Sequence, residues 1–184
     1  MNNPAFLVDG NLEQKFIQRS CPGKTVNRIN CNGEDVEVSA IVSRIATQCR
    51  LLGNKYYPIV VIIDRESRDI STEELCTQIL AGLRGEGITD KLIVAASNRM
   101  IENWILADPE VVRQHPNFQK APPAKCEGLN GKKLMKECIR YYHETTIGVD
   151  LLLKCRASYL RKNSESFAYL YKKLPSKRCW WLNR

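Results

Sequence analysis

Ile59-Val60-Val61-Ile62-Ile63 is an unbroken run of β-branched apolar residues opened by Pro58. Such a run is too short for a helix and has no polar side to turn to water. It reads as a strand buried on both faces, and strands of that kind belong to parallel sheets covered by helices. Ala5-Phe6-Leu7-Val8 and Leu92-Ile93-Val94-Ala95-Ala96 have the same character, and Thr25 to Ile29 alternates more weakly as another strand. Helical patterns separate them. Leu12, Phe16 and Ile17 share a face between Asn11 and about Ser20, and Cys21-Pro22-Gly23 breaks that helix. Val38, Ile41, Val42, Ile45, Cys49 and Leu52 follow helical spacing up to a stop at Gly53-Asn54, after a turn at Asn32-Gly33. Ser71-Thr72-Glu73-Glu74 opens a third helix with a hydroxyl cap and first-turn acids, continued by Leu75, Ile79 and Leu83 and punctuated by Gly85 and Gly87. The order β-α-β-α-β-α-β predicts an α/β fold with a mostly parallel, Rossmann-like sheet flanked by helices.

The rest of the chain reads as helical and basic. Short helices are predicted over Met100 to Leu106, Lys132 to Glu144, 149–160 and Ser164 to Leu174, with a loop from Pro116 through Pro123 and a basic, aromatic tail at Lys177-Arg178-Cys179-Trp180-Trp181. Charge divides the same way. Residues 1–110 hold 12 Lys+Arg against 15 Asp+Glu, a net of −3, whereas 111–184 hold 16 against 5, a net of +11. The expected organisation is an α/β core over 1–110 and a basic, mainly helical extension over 111–184 packed on it. An acidic half beside a basic half suits a metal-dependent enzyme acting on a polyanion such as DNA or RNA. The alternatives are a solvated basic surface or a dock for an acidic partner.

No apolar stretch approaches the roughly 20 residues a membrane helix needs, and Met1-Asn2-Asn3-Pro4 carries no secretory signature. The eight cysteines contain no C-x-x-C pair, so buried, reduced thiols in a cytoplasmic protein are expected.

Acidic residues follow two of the strands. Asp9 and Glu13 come after the first run, Asp64 and Glu66 after the third. Ligands of open parallel sheets bind beyond the carboxyl ends of the strands. Hard cations such as Mg2+ take carboxylate oxygens and keep several waters. Asp64 and Glu66, two apart on an extended strand end, would project the same way, and Glu13 would sit near the start of the first helix. Read separately, Glu13 balances a helix dipole, and Asp64 and Glu66 lie in a solvated loop with Arg65 and Arg68 as ion-pair partners.

Leu7-Val8-Asp9-Gly10-x-x-Glu13 resembles the first motif of TOPRIM (topoisomerase-primase) domains, usually Val-Glu-Gly-x-x-Glu/Asp, and Ile62-Ile63-Asp64-Arg65-Glu66 is similar to their Asp-x-Asp motif. The stretch Glu102-Asn103-Trp104-Ile105-Leu106-Ala107-Asp108-Pro109-Glu110 and the later Ser164-Glu165-Ser166-Phe167 resemble markers of a small TOPRIM-like bacterial family. The resemblance spans about residues 5 to 174. It implies a TOPRIM fold, Mg2+ or Mn2+ held by Asp9, Glu13, Asp64 and Glu66, and phosphodiester cleavage in DNA or RNA. Through the related overcoming-lysogenization-defect nucleases it also implies an ATPase partner in phage defence. Asp9 stands where TOPRIM domains usually have Glu, and Glu66 where they have Asp. These changes either compensate or mark a weakened centre, in which case the chain is a subunit that binds nucleic acid or an ATPase partner.

Glu102 is a fifth candidate for catalysis, approaching from beyond the fourth strand; otherwise it is a helix-face acid. Trp104 reads as core. Arg65, Arg68, Arg99 (with Asn98 beside it), Lys132, Lys133, Lys172 and Lys173 are candidate nucleic-acid contacts, as are Arg161-Lys162 and Lys177-Arg178. Tyr169, Tyr171, Trp180 and Trp181 are candidates for stacking or for packing. His115 and His143 belong to no nucleophile-base pattern, and no G-x-x-x-x-G-K-[ST] phosphate loop is present. A small-molecule phosphotransferase on an α/β scaffold is the remaining alternative.

Overall fold

The computed structural model describes residues 3–31, 36–89 and 91–174. The turn expected at Asn32-Gly33 and the tail expected at Lys177 to Trp181 lie outside the described residues. Strands β1 (Ala5–Val8), β2 (Thr25–Arg28), β3 (Ile59–Asp64) and β4 (Leu92–Ser97) form one sheet in the order β2-β1-β3-β4, and every pairing is parallel. Helices α1 (Asn11–Ser20), α2 (Val38–Leu52) and α3 (Thr72–Gly85) make the crossovers. Because strand side chains alternate with a period of two, each run feeds two cores. Phe6, Val8, Val60, Ile62, Ile93 and Ala95 face α1 and the C-terminal helices. Ala5, Leu7, Ile59, Val61, Ile63, Val94 and Ala96 face α2 and α3. The protein is therefore an α/β sandwich around an all-parallel sheet.

The local signals explain the helix ends. Ser71 Oγ accepts the Glu74 amide at 3.0 Å to cap α3. Gly53, with φ +58, ends α2. Where α2 crosses α3, a Cβ added to Gly82 would lie 2.7 Å from Val42 Cγ2. Overpacking costs about 1–3 kcal/mol, against a helix-propensity gain of about 1 kcal/mol for Ala over Gly. Gly82→Ala is expected to lower stability by about 1 kcal/mol in chemical denaturation, and Val42→Ala in the same chain to recover part of that loss. A Gly82→Ala protein as stable as wild type would show that the helices separate freely.

The C-terminal half differs from the expected helices. After β4 come α4 (Glu102–Leu106), α5 (Pro109–Arg113), α6 (Gly131–Cys138), a π-helical turn at Glu144–Gly148, α7 (Val149–Lys154), α8 (Ala157–Asn163) and α9 (Glu165–Lys173). The helix expected from Lys132 to Glu144 ends at Cys138, because Ile139 turns extended to bridge Phe118 and Tyr141 takes a left-handed φ of +59. The helix expected over 149–160 breaks at Cys155 and Arg156, where the chain turns to serve Asp108. That carboxylate is fully buried, and it accepts the Arg156 amide at 3.0 Å, Nε at 2.9 Å and Nη2 at 2.6 Å. Among the described residues, six cysteines are free and buried, whereas Cys21 is disulfide-bonded, which departs from the expectation of reduced thiols. Among the described residues no helix is long and apolar enough to cross a membrane.

The Trp-containing stretch is a packing device. Trp104 is fully buried, stands edge-on to Phe167 with ring centroids 5.3 Å apart, and donates its Nε1–H to Ser166 Oγ at 2.9 Å. Ser164 Oγ accepts the Phe167 amide at 3.1 Å to cap α9, and Glu127 accepts from the hydroxyls of Ser164 and Ser166. The markers at 102–110 and 164–167 thus dock α4 on α9.

Candidate active site at the carboxyl edge of the sheet

β1 ends at Val8, and the chain enters α1 through Gly10, in extended conformation. Glu13, in the first turn of α1, folds back over Gly10: a Cβ there would stand 2.7 Å from Glu13 Oε2. The glycine of the D-G-x-x-E spacing lets the carboxylate take this position, and a larger residue would push it aside. Glu13 is 3% exposed, and burial pushes its pKa from 4.5 up to about 8, reinforced by the negative charges of Glu102 and Asp9 and countered by the Glu13 and Gly10 amides.

β3 ends at Asp64, paired in register with Ser97 of β4, whose hydroxyl donates to Asp64 Oδ1 at 2.5 Å. Burial pushes the Asp64 pKa well up, with Glu13, Glu102 and Glu66 adding repulsion. Glu102, the first residue of α4, is 4% exposed, and burial raises its pKa too. Glu13, Asp64 and Glu102 thus come from three separate segments, and the ionised forms of Glu13 and Asp64 are disfavoured by each other and by Glu102.

Glu66 arrives by a different route from the one expected. The strand stops at Asp64, and Glu66 has a left-handed φ of +59, so the same-side projection of residues two apart on a strand does not apply. Its amide donates to the Arg99 carbonyl at 2.8 Å. Its charge still reaches Asp64, and it helps to line a cleft of about 530 Å³ with Arg65, Arg68 and Arg99.

Asp9 faces the other neighbour of β1. Its Oδ1 accepts the Cys31 amide, beyond β2, at 2.9 Å; burial raises its pKa, and that bond and the charges of Arg68 and Arg44 counter only part of the rise. Asp9 is linked to the buried cluster through its repulsion of Glu13.

Three further residues, Lys132, Tyr142 and Glu144, close the cluster. Lys132, expected as a nucleic-acid contact, forms an ion pair with Glu144; that bond raises its pKa, and the charges of Glu102 and Asp64 add to the effect. Tyr142, past the end of α6, donates its hydroxyl to Glu102 Oε1 at 3.4 Å. No local pattern marked Glu144 or Tyr142. Their roles arise because α6 ends early and the following turn folds back over α4, whose Asn103 amide donates to the Cys126 and Leu129 carbonyls at 2.5 and 3.1 Å.

The other basic candidates are scattered. The Arg65 guanidinium donates to Asn98 Oδ1 at 3.2 Å and to the Arg68 carbonyl, and Arg68 donates to the carbonyls of Arg65 and Val36 at 2.8 and 2.6 Å. Both brace the loop after β3. Arg99 reaches the Gly128 carbonyl at 3.4 Å. Lys133, Lys172 and Lys173 are exposed on α6 and α9. His115 and His143 make local bonds, to the Asn117 amide and to Thr145 and Thr146.

Among the described residues, no three His, Cys, Asp or Glu side chains stand close enough to hold a metal ion in this arrangement. The donor set fits Mg2+ or Mn2+ in kind, being hard carboxylate oxygens, and Mg2+ is often held by only one or two carboxylates with waters. No family model, curated protein or solved structure matches the chain.

The raised pKa values make a signed prediction. Glu13 keeps its proton to about pH 8 in the folded protein, against 4.5 ordinarily. Between those values the folded state binds more protons than the unfolded one, so stability falls as pH rises through the window. Asp64 and Glu102 act in the same direction. In metal-free buffer the melting temperature is expected to decline over that range, and Glu13→Gln to make the decline shallower. An unchanged slope in the Gln variant would show that Glu13 ionises normally.

Proposed function

We propose that this chain is a divalent-metal-dependent, TOPRIM-like nuclease that hydrolyses phosphodiester bonds in DNA or RNA. The observation that carries the reading is the convergence of buried Glu13 and Glu102 with half-buried Asp64 at the carboxyl edge of a parallel sheet, where their charges repel one another. Buried carboxylates that raise one another's pKa are costly to folding, and a divalent cation is the chemistry that converts that cost into function. Glu13 and Asp64 would hold the ion, with Glu66 and Glu102 beside them. A bound Mg2+ or Mn2+ there supplies charge stabilisation to a phosphoryl oxygen and a more acidic water.

The chain's own residues do the rest. Ser97 orients Asp64 by donating to Oδ1. Tyr142 and the Lys132–Glu144 pair sit against Glu102 and fix the charge on that side. Glu13, which keeps its proton to about pH 8 without the ion, would release that proton as the ion is taken up. Arg65, Arg68 and Arg99 line the neighbouring cleft, where a phosphate can be steered.

Purified protein is expected to cleave DNA or RNA with Mn2+ or Mg2+ and not in EDTA, and the Asp64→Ala, Glu66→Ala double variant to be inactive. Equal behaviour of the two proteins with every metal and substrate would remove the assignment. One observation favours a second reading, a weak or inactive subunit that binds nucleic acid: Asp9, where TOPRIM domains usually carry Glu, already bonds the Cys31 amide. Salt-sensitive binding without turnover would support that reading.

A further inference from the structure

We infer that the groove between α8 and α9 is a second nucleic-acid site, which holds an unpaired strand on its way to the carboxylate cluster. The inference rests on the proposed reading and extends it to the form of the substrate. The groove, about 740 Å³, is lined by Ser158, Arg161, Lys162, Ala168, Tyr171 and Lys172. Three of these six are cations and none is an acid, in contrast to the cleft beside the cluster, where Arg65, Arg68 and Arg99 share the walls with Glu66, Asp69 and Glu165. Arg161, Lys162 and Lys172 are exposed, and none is in an ion pair among the described residues. Their charge faces solvent in a concave wall, where a polyanion replaces many counterions at once.

Two features select a single strand. Tyr171 lines the groove with the Arg161 guanidinium 4.4 Å from its ring centroid. An aromatic–arginine surface inside a groove can be stacked upon by a splayed base, whereas duplex bases offer only their edges. The groove is also tied to the cluster by one rigid element. Glu165 opens α9 and lines the cleft that holds Glu66, while Ala168, Tyr171 and Lys172 of the same helix line the groove. At 1.5 Å per residue the two ends lie about 10 Å apart, a span that an extended single strand crosses in a few nucleotides. A strand in the groove therefore reaches the cleft that holds Glu66 within a few phosphates.

The test is a binding measurement in EDTA, so that no cleavage enters. Fluorescence anisotropy would follow a labelled single-stranded 12-nucleotide oligomer, with its duplex form and a poly-glutamate peptide as competitors. The proteins are wild type, Arg161→Glu with Lys172→Glu, Tyr171→Leu, and a control with the same change in net charge, Lys55→Glu with Arg84→Glu, on exposed sites of the opposite layer. The groove variant is expected to bind roughly tenfold or more weakly, with a salt dependence shallower by about 1.4 in log–log slope. Tyr171→Leu is expected to lose roughly fivefold for the single strand, and the control to lose far less. Circular dichroism melts confirm that each variant is folded. Wild-type affinity in the groove variant, an equal loss in the control, or poly-glutamate competing as well as the oligomer would each overturn the inference. Cleavage assays on the same proteins separate the two ideas. Loss of binding in the groove variant alongside an inactive wild type leaves the groove standing without the nuclease, and the converse leaves the nuclease without the groove.

Discussion

Asp64→Ala is expected to abolish metal-dependent cleavage, by roughly 10³-fold or more, while leaving the protein at least as stable as wild type in metal-free buffer. The size follows from a metal contribution of several kcal/mol to the transition state at about 1.4 kcal/mol per tenfold. The stability follows from the geometry. Burial and the charges of Glu13, Glu102 and Glu66 disfavour the ionised form of Asp64, so replacing it removes a side chain that is costly to ionise in place, which offsets the loss of the Ser97 bond. Asp64→Asn keeps an acceptor for the Ser97 hydroxyl, which donates at 2.5 Å in the wild type, and should be equally inactive. Activity is read in cleavage assays with Mn2+ and stability in thermal melts. An inactive variant that also melts much earlier would indicate a structural role for Asp64. Asp9→Ala supplies the contrast. Because Asp9 is satisfied by the Cys31 amide and by Arg68 and Arg44, its loss is expected to cost cleavage less than the loss of Asp64. Equal losses would mean that Asp9 leaves Cys31 and joins the cluster when substrate and metal bind.

Trp104→Ala is expected to destabilise the protein by about 3–5 kcal/mol, the range for removing a large buried aromatic. The ring is fully buried, packs edge-on against Phe167, and its indole N–H bonds Ser166 Oγ. The deletion leaves a cavity between α4 and α9 and loosens the layer that holds Glu102 at the start of α4. Trp104→Phe fills more of the space and is expected to cost less, though it still strips Ser166 of a donor. Denaturant titration would measure both. A Trp104→Ala protein of near wild-type stability but lacking cleavage would reverse the assignment and make Trp104 part of the site.

The two variants separate what a reader of the sequence can and cannot see. The strands were legible because each short apolar run feeds two buried faces, as Phe6 and Leu7 do on opposite sides of β1. The first helices were legible because their caps are local, as at Ser71 and Gly53. Helix ends in the C-terminal half were not. Cys155 and Arg156 break a helix to satisfy a carboxylate at Asp108, far away in sequence, and Ile139 leaves one to bridge Phe118. Strand alternation puts Glu66 beside Asp64, but it lies past the strand in a left-handed turn. Charge alone makes Lys132 a nucleic-acid contact, whereas its place is set by Glu144 and the charges of Glu102 and Asp64.

By itself the sequence determined the alternation of strand and helix, the parallel sheet, and the arrival of Asp9, Glu13 and Asp64 at its carboxyl edge, because those depend on short-range periodicity and chain direction. Tertiary structure alone decided which of the acids share a field. Asp9 leans to Cys31, Glu102 joins Glu13 and Asp64, and Lys132, Tyr142 and Glu144 close the far side. The physical reason is desolvation. A carboxylate's pKa, and hence its chemistry, depends on what buries it, and here the burying segments come from both halves of the chain.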